Sequence, residues 1–315
     1  MGRPLTAAPI GQTGVLRADR LRGHAAMLAF SAFVAGSFSL GALAANEIAP
    51  AALNAVRFAI AAAILAAIAW AGPGFRRENL AAPWRYVLLG AIFAVYFVLM
   101  FEGLKTAAPV STAAVFTLTP VMSAAFGWLM LRQVTTPRMA AALAIGAAGA
   151  LWVIFRADLA ALMAFRIGRG EAIYFVGCVA HAAFTPMLRL LNRGEPASVS
   201  TALVMAGGFV VLVFWGWGDL AATDWAALPA IVWITLGYVA VFASALTFFL
   251  LSYATQRLPA AKVMAYTYLV PAWVILWELA LGRPAPPGIV TVGVGLTALA
   301  LVLLLKPEGA ETRAA

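Results

Sequence analysis

Residues 103–155 read GLKTAAPVSTAAVFTLTPVMSAAFGWLMLRQVTTPRMAAALAIGAAGALWVIF, and residues 253–305 read YATQRLPAAKVMAYTYLVPAWVILWELALGRPAPPGIVTVGVGLTALALVLLL. The two stretches share one plan. A short polar approach leads into an apolar run with a central proline, Pro120 or Pro271. A basic break follows at Arg132 or Arg283, and a second apolar run opens at Pro137 or Pro287. An interior proline removes a backbone hydrogen bond. A soluble helix tolerates that badly, whereas a membrane helix tolerates it where neighbours satisfy the freed carbonyl. Interrupted helices in corresponding positions of two halves point to a transporter's binding site.

The rest of the chain fits a membrane setting. Of its 315 residues, 64% are hydrophobic and 10% charged, with a mean hydropathy of +0.96. A soluble domain is about half apolar and about a quarter charged. The composition therefore defines an all-α membrane protein. The net charge of +9 is spread over short loops and helix ends rather than one stripe, which fits lipid and topology and excludes a nucleic-acid partner. The single Cys178 excludes a disulfide within one chain and any zinc cluster built on several cysteines. Ala42-Leu43-Ala44 resembles a signal-peptidase site, but the run before it is about 20 residues long and suits a span better than a signal core of about 7–15.

At about 20 apolar residues per crossing, ten spans are predicted: 24–44, 50–71, 82–103, 109–131, 137–155, 170–191, 199–217, 228–254, 259–281 and 286–305. The expected organisation is a cytoplasmic segment 1–23, a first five-helix repeat 24–155, a connector 156–169, a second five-helix repeat 170–305 and a cytoplasmic tail 306–315. With the N-terminus inside, 13 lysines and arginines fall on the cytoplasmic side and 5 on the other. The bias places both termini in the cytoplasm of a multi-pass inner-membrane protein. Five is odd, so the repeats insert with opposite topology, the inverted-repeat design that underlies alternating access.

With these stretches in view, the chain resembles the drug/metabolite transporter superfamily in its ten-helix, EamA-like form. Leu53–Phe58 (LNAVRF), Phe101–Pro109 (FEGLKTAAP), Leu118–Val121 (LTPV), Ser252–Ala261 (SYATQRLPAA) and Val270–Ala272 (VPA) carry the likeness, through their order and duplication. Two departures stand out. Gln133 and Arg283-Pro284 replace an acidic residue frequent after the proline-bearing helices, and the usual tryptophan early in span 1 is absent near Gly36-Ser-Phe38. Within the superfamily the aromatic-rich spans look most like bacterial exporters of aromatic and neutral amino acids, the YddG type. The resemblance implies a small-molecule substrate, a bilayer partner, no cofactor and a monomer.

Several residues offer themselves to a substrate. In span 9, Lys262, Tyr266, Trp273 and Trp277 follow at spacings of four, seven and four, one helical face. This face either lines a cavity or packs helices, with Trp277 in the interfacial belt. Tyr238, Phe242, Phe249 and Tyr253 repeat the spacing in span 8. Tyr96 and Phe97 lie on adjacent faces of span 3, so one of the two is expected in a cavity. Arg57 lies roughly 10 Å into span 2 at 1.5 Å per residue. It can hold a carboxylate, snorkel, or lock to Glu47. His181 can relay protons, bind substrate, or donate to a carbonyl freed by Pro186. Glu278 and Glu102 are the protonation candidates, and Pro120, Pro186 and Pro271 the hinges.

Enzyme chemistry has little to stand on. Intramembrane catalysis needs paired acids, a Ser–His arrangement or metal ligands. The spans hold no acid pair at helical spacing, no HExxH and no phosphate loop. The expected activity is export of aromatic and other neutral amino acids by alternating access, facilitative or weakly proton-coupled. Other small metabolites, nucleosides or drugs are the alternative, and sugar phosphates rank behind them because they require several converging basic groups.

Overall fold

A computed structural model describes residues 10–156, 158–163, 167–255, 257–258 and 260–305, without the side chains of 10–18, 252, 255 and 260–262. Among the described residues, ten helices are long and apolar enough to cross a membrane: Asp19–Ala44, Pro50–Ala71, Trp84–Leu104, Pro109–Leu131, Pro137–Ile154, Arg169–Leu191, Ala197–Trp215, Ala230–Leu251, Val263–Ala280 and Gly288–Leu305. These are spans 1 to 10, each within a few residues of the expected position. The connector between the halves carries a short helix, Leu159–Met163.

The packing repeats across the halves. Span 3 packs on span 6 as span 8 packs on span 1, and span 4 packs on 6 as span 9 packs on 1. Span 3 meets span 7 as span 8 meets span 2, while 2 pairs with 7 and 5 with 10. Each of these pairs maps onto its counterpart when a span exchanges with the one five places on, the signature of a pseudo-two-fold axis. The contact of spans 5 and 10 shows why small residues are needed. A Cβ on Gly149 would lie 2.6 Å from the Gly293 carbonyl oxygen, and one on Gly293 2.7 Å from that of Gly149. Without a hydrophobic drive between helices in lipid, such backbone approach supplies the packing energy.

The proline-bearing spans are broken, as their sequence foretold. Span 4 consists of Pro109–Phe116 and Thr119–Leu131 with a turn between them. Span 9 runs Ala260–Ala265, then a tight 3₁₀ stretch Tyr266–Leu269, then Val270–Ala280. Pro186 behaves differently, because Arg169–Leu191 is one continuous helix. The carbonyl that Pro186 leaves without an intrahelical donor is that of Ala182, and Ser123 Oγ of span 4 donates to it at 3.2 Å. The neighbour, not His181, satisfies the freed group.

Span 8 holds a feature with no proline to announce it. Its helix widens into a π-helical turn at Val241–Leu246. At the end of the bundle bearing the 192–196 loop, Arg85 forms an ion pair with Glu195 at 2.8 Å, both side chains almost fully buried. Arg85 also donates to the Leu191 carbonyl, and Tyr86 donates to Glu195 at 3.0 Å. Burial alone would raise the Glu195 carboxyl. The hydrogen bonds from Arg85, from the Arg193 backbone N–H and from Tyr86 prevail and hold it at about 2. This network ties span 3 to the loop between spans 6 and 7. At the opposite face Thr235 of span 8 donates to the Leu40 carbonyl of span 1 at 3.1 Å.

Candidate functional site

A cavity of about 300 Å³ lies between the halves, at the small end of the range of about 300–1,000 Å³ that serves small ligands. Eight spans line it, and the outlying pair 5 and 10 does not. Its lining reaches to within about one turn of the span ends at Leu188, Leu251, Val263 and Met264. In the other direction it stops at Arg57, Met100 and Phe116. Beyond them Ile48, Leu53, Phe101, Val232 and Leu236 form a buried apolar plug.

Flat rings build the walls. Span 3 sets Phe93, Tyr96, Phe97 and Met100 on one helical face, at spacings of three, four and seven from Phe93. The Phe93 ring lies 4.7 Å from Phe184, nearly parallel, and 4.7 Å from Phe97, edge-on. Tyr96 stacks on His181 at 4.4 Å, and its hydroxyl meets that of Tyr174 at 3.0 Å. Phe116, the last residue of the first half of span 4, closes on His181 at 5.7 Å. Hydroxyls of Ser37, Thr185, Thr201 and Thr247 are spaced among the rings. Such a chamber binds an amphiphile, apolar over most of its surface and polar at a few points.

Among the described residues, one buried cation borders the cavity. Arg57 is 0% exposed, and its guanidinium carbon sits 3.5 Å from the centroid of Phe97. Nε donates to Ser244 Oγ at 3.1 Å, and Nη2 to the Ala243 carbonyl at 3.4 Å. Both acceptors belong to the π-helical turn of span 8, where Ser244 Oγ in turn donates to the Val239 carbonyl at 2.8 Å. Widened turns of this kind recur at functional sites. Nη1 has no hydrogen-bond partner among the described residues, and neither does Nδ1 of His181.

The structure redistributes the residues singled out by sequence. Arg57, Tyr96 and His181 come together at the cavity. Tyr96 and Phe97 both line it, where one of the two was expected. Tyr238, Phe242, Tyr266 and Trp273 do not line it. Tyr238 donates to the Phe33 carbonyl at 2.8 Å, and Phe242 is 40% exposed, stacked on Phe33. The Tyr266 hydroxyl meets His24 Nδ1 at 2.8 Å, and Trp273 Nε1 donates to Ser31 Oγ at 3.0 Å. The span 9 stripe therefore packs on span 1, and Trp277 lies edge-on to Tyr238. The cavity takes the neighbouring face, Val263, Met264 and Thr267. The Lys262 side chain lies outside the described residues.

The remaining candidates are spoken for elsewhere. Arg57 engages span 8 rather than Glu47. Lys105 pairs with Glu102 at 2.7 Å, and Arg283 with Glu278 at 3.6 Å, both away from the cavity. Sequence reasoning passed over Phe93, Phe116 and Phe184. The three-and-four spacing of Phe93 with Tyr96 and Phe97 was the signal for the first. Phe184, three residues after His181, carried the same kind of signal, whereas Phe116 is the single aromatic of its half of span 4 and gave none.

A ten-span helical bundle with a solute-sized chamber at its pseudo-symmetry axis defines a membrane transporter. Comparison with known proteins makes the class specific. Residues 21–155 and 168–306 each match the EamA-like transporter family, and the chain belongs to that family. An uncharacterized transporter, YyaM of Bacillus subtilis (strain 168), is 26% identical over 261 residues, covering 82% of this chain and 85% of its own. A solved crystal structure, 19% identical, shares the fold with a TM-score of 0.66 over 92% of this chain and 96% of its own.

Proposed function

We propose that this transporter exports aromatic and other neutral amino acids across a bacterial inner membrane, with both termini in the cytoplasm. The observation that carries the reading is the ring-walled chamber of Phe93, Tyr96, Phe97, Phe116 and Phe184 with Arg57 at its border. An aromatic side chain needs flat apolar walls, and rings stack or meet edge-on with centroids about 4.5–7 Å apart. A zwitterion needs hydrogen bonds and dipoles, which the hydroxyls and the interrupted helices offer. A lone cation among the described lining residues supports a single carboxylate and argues against the converging basic groups of a phosphate site.

The shape of the chamber supports loading from the cytoplasmic side. The chamber extends toward the end that holds the 192–196 loop, the end where basic residues concentrate. Substrate enters from the cytoplasm in this state. The repeats 24–155 and 170–305 then rock about the chamber, with Pro120 and Pro271 at the joints and Pro186 as a fixed part of span 6. Coupling to protons is weak or absent, because Glu102 and Glu278 are paired with cations outside the chamber. The chamber is completed within one chain, so a monomer suffices.

Counterflow in proteoliposomes tests the reading. Labelled phenylalanine should accumulate in vesicles preloaded with phenylalanine or tryptophan. Accumulation of a sugar phosphate or a lipophilic cation with none of phenylalanine would refute it.

A further inference from the structure

We infer that Arg57 is the carboxylate-binding group of the chamber, so that a ligand needs a carboxylate for recognition while its amine is secondary. The inference rests on the amino-acid reading for the ligand's overall class, but its own basis is separate. A guanidinium carries five N–H donors and no acceptor. At Arg57 the Nε donor goes to Ser244 and Nη2 to Ala243, while Nη1 is shielded from solvent and has no partner among the described residues. Arg57 also makes no ion pair among them. A buried charge left in that condition is strongly disfavoured unless something completes it.

The surroundings exclude the simplest ways to complete it. One face is taken by the Phe97 ring. Span 8 supplies a neutral hydroxyl and a neutral carbonyl, not an acid. The chamber also borders Arg57, and among the described residues its lining contains no acidic side chain. A ligand carboxylate arriving from the chamber, once the side chains covering Nη1 give way, supplies the missing anion and accepts from that nitrogen, a charge-assisted bond stronger than a neutral one. The two bonds to the π-helical turn hold the planar group still while this happens. Ser244 is thus a positioning residue. A purely structural strut between spans 2 and 8 would be served by Nε and Nη2 alone and would need no ligand.

The chemistry of the chamber makes the preference one-sided. Among the described residues its lining holds Arg57 as a cation and no anion to receive an ammonium, so an amine lacking a carboxylate meets hydroxyls and ring faces there. An aromatic carboxylate lacking the amine meets both rings and cation. The order of affinity is then phenylalanine and 3-phenylpropionate ahead of 2-phenylethylamine.

The test is ligand-induced stabilisation of the full-length protein in detergent, measured as the shift in unfolding midpoint with 3-phenylpropionate, 2-phenylethylamine and phenylalanine. Native protein should be stabilised by 3-phenylpropionate and not by 2-phenylethylamine. Arg57→Gln should weaken the apparent affinity for 3-phenylpropionate about 10- to 100-fold, the effect of one hydrogen bond to a charged group, and Ser244→Ala should weaken it less. If Arg57→Gln does not fold, the comparison of the two ligands on native protein still decides. A midpoint shift with the amine equal to or larger than that with the carboxylate overturns the inference, as does no shift with the carboxylate. A shift with 3-phenylpropionate and none with phenylalanine, together with no phenylalanine counterflow, refutes the amino-acid reading while the role of Arg57 stands. Phenylalanine counterflow that persists while 3-phenylpropionate fails to bind does the reverse.

Discussion

Thr117 and Thr267 lie three residues before Pro120 and four before Pro271, and each turns its hydroxyl onto the carbonyl three residues back, Ala114 at 2.7 Å and Met264 at 2.8 Å. Both stand at the interruption of a proline-bearing span. Pro120 deprives the Phe116 carbonyl of its intrahelical donor, and Pro271 does the same to Thr267. Phe116 and Thr267 are also lining residues of the chamber. The breaks therefore place irregular backbone where it borders a cavity, a setting in which a membrane protein tolerates it.

That duplication gives the first prediction. Pro120→Ala and Pro271→Ala should restore a backbone bond, straighten the span and slow transport by about tenfold or more, a barrier change of roughly 1.4 kcal/mol, with protein levels nearly unchanged. Initial rates in proteoliposomes, normalised to reconstituted protein, measure this. Native rates in both variants would show that the breaks do not serve the transport cycle. Pro186→Ala is expected to leave transport nearly unaltered, since span 6 is already straight.

The buried Arg85–Glu195 pair bears on stability rather than transport chemistry. Removing one partner of a buried pair leaves an uncompensated charge and destabilises by about 3–5 kcal/mol. Glu195→Gln should therefore lower the unfolding midpoint clearly, whereas Glu102→Gln, at an exposed pair, should change it little.

The same pair fixes a pH dependence. The folded Glu195 carboxyl sits at about 2, below its ordinary value of 4.5. A group depressed in the folded state contributes its full stability above the unfolded value and loses it as pH falls through the folded one. The stability gap between native protein and Glu195→Gln should stay level from neutral pH down to about pH 5 and shrink below that. A gap that shrinks between pH 8 and pH 6 instead would mean another group controls the network.

Topology has its own test. In a Cys178→Ala background, a cysteine at exposed Ala222 should react with an impermeant maleimide added outside intact cells, and one at exposed Arg193 should not. The reverse pattern would invert the proposed orientation and make the chamber face outward.

Much of this architecture is legible in the sequence because the physics that sets it is coarse. Hydrocarbon thickness fixes span length, and two interior prolines at matched places give the breaks. The site was only partly legible. Arg57, Tyr96 and His181 stand out because polar groups within spans are rare. The aromatic stripes of spans 8 and 9 misled because helical spacing reveals a face without saying what it meets. In span 9 the 3₁₀ stretch at Tyr266–Leu269 winds more tightly than an α-helix and alters the angle between residues on either side. In span 8 the π-helical turn at Val241–Leu246 does the opposite. It sends Thr247, Phe248 and Leu251 to the chamber and leaves Phe242 and Phe249 exposed. No residue type announces such a turn.

The central claim, that the ring-walled chamber is where an aromatic amino acid is carried, is tested most directly by phenylalanine counterflow with Tyr96→Ala beside Trp273→Ala. Tyr96 lines the chamber and Trp273 packs on Ser31 outside it. The account expects Tyr96→Ala to raise the half-saturating phenylalanine concentration about tenfold, equivalent to about 1.4 kcal/mol, and Trp273→Ala to change it by less than about threefold, some 0.6 kcal/mol. Equal losses in both variants, or a loss confined to Trp273→Ala, would contradict it.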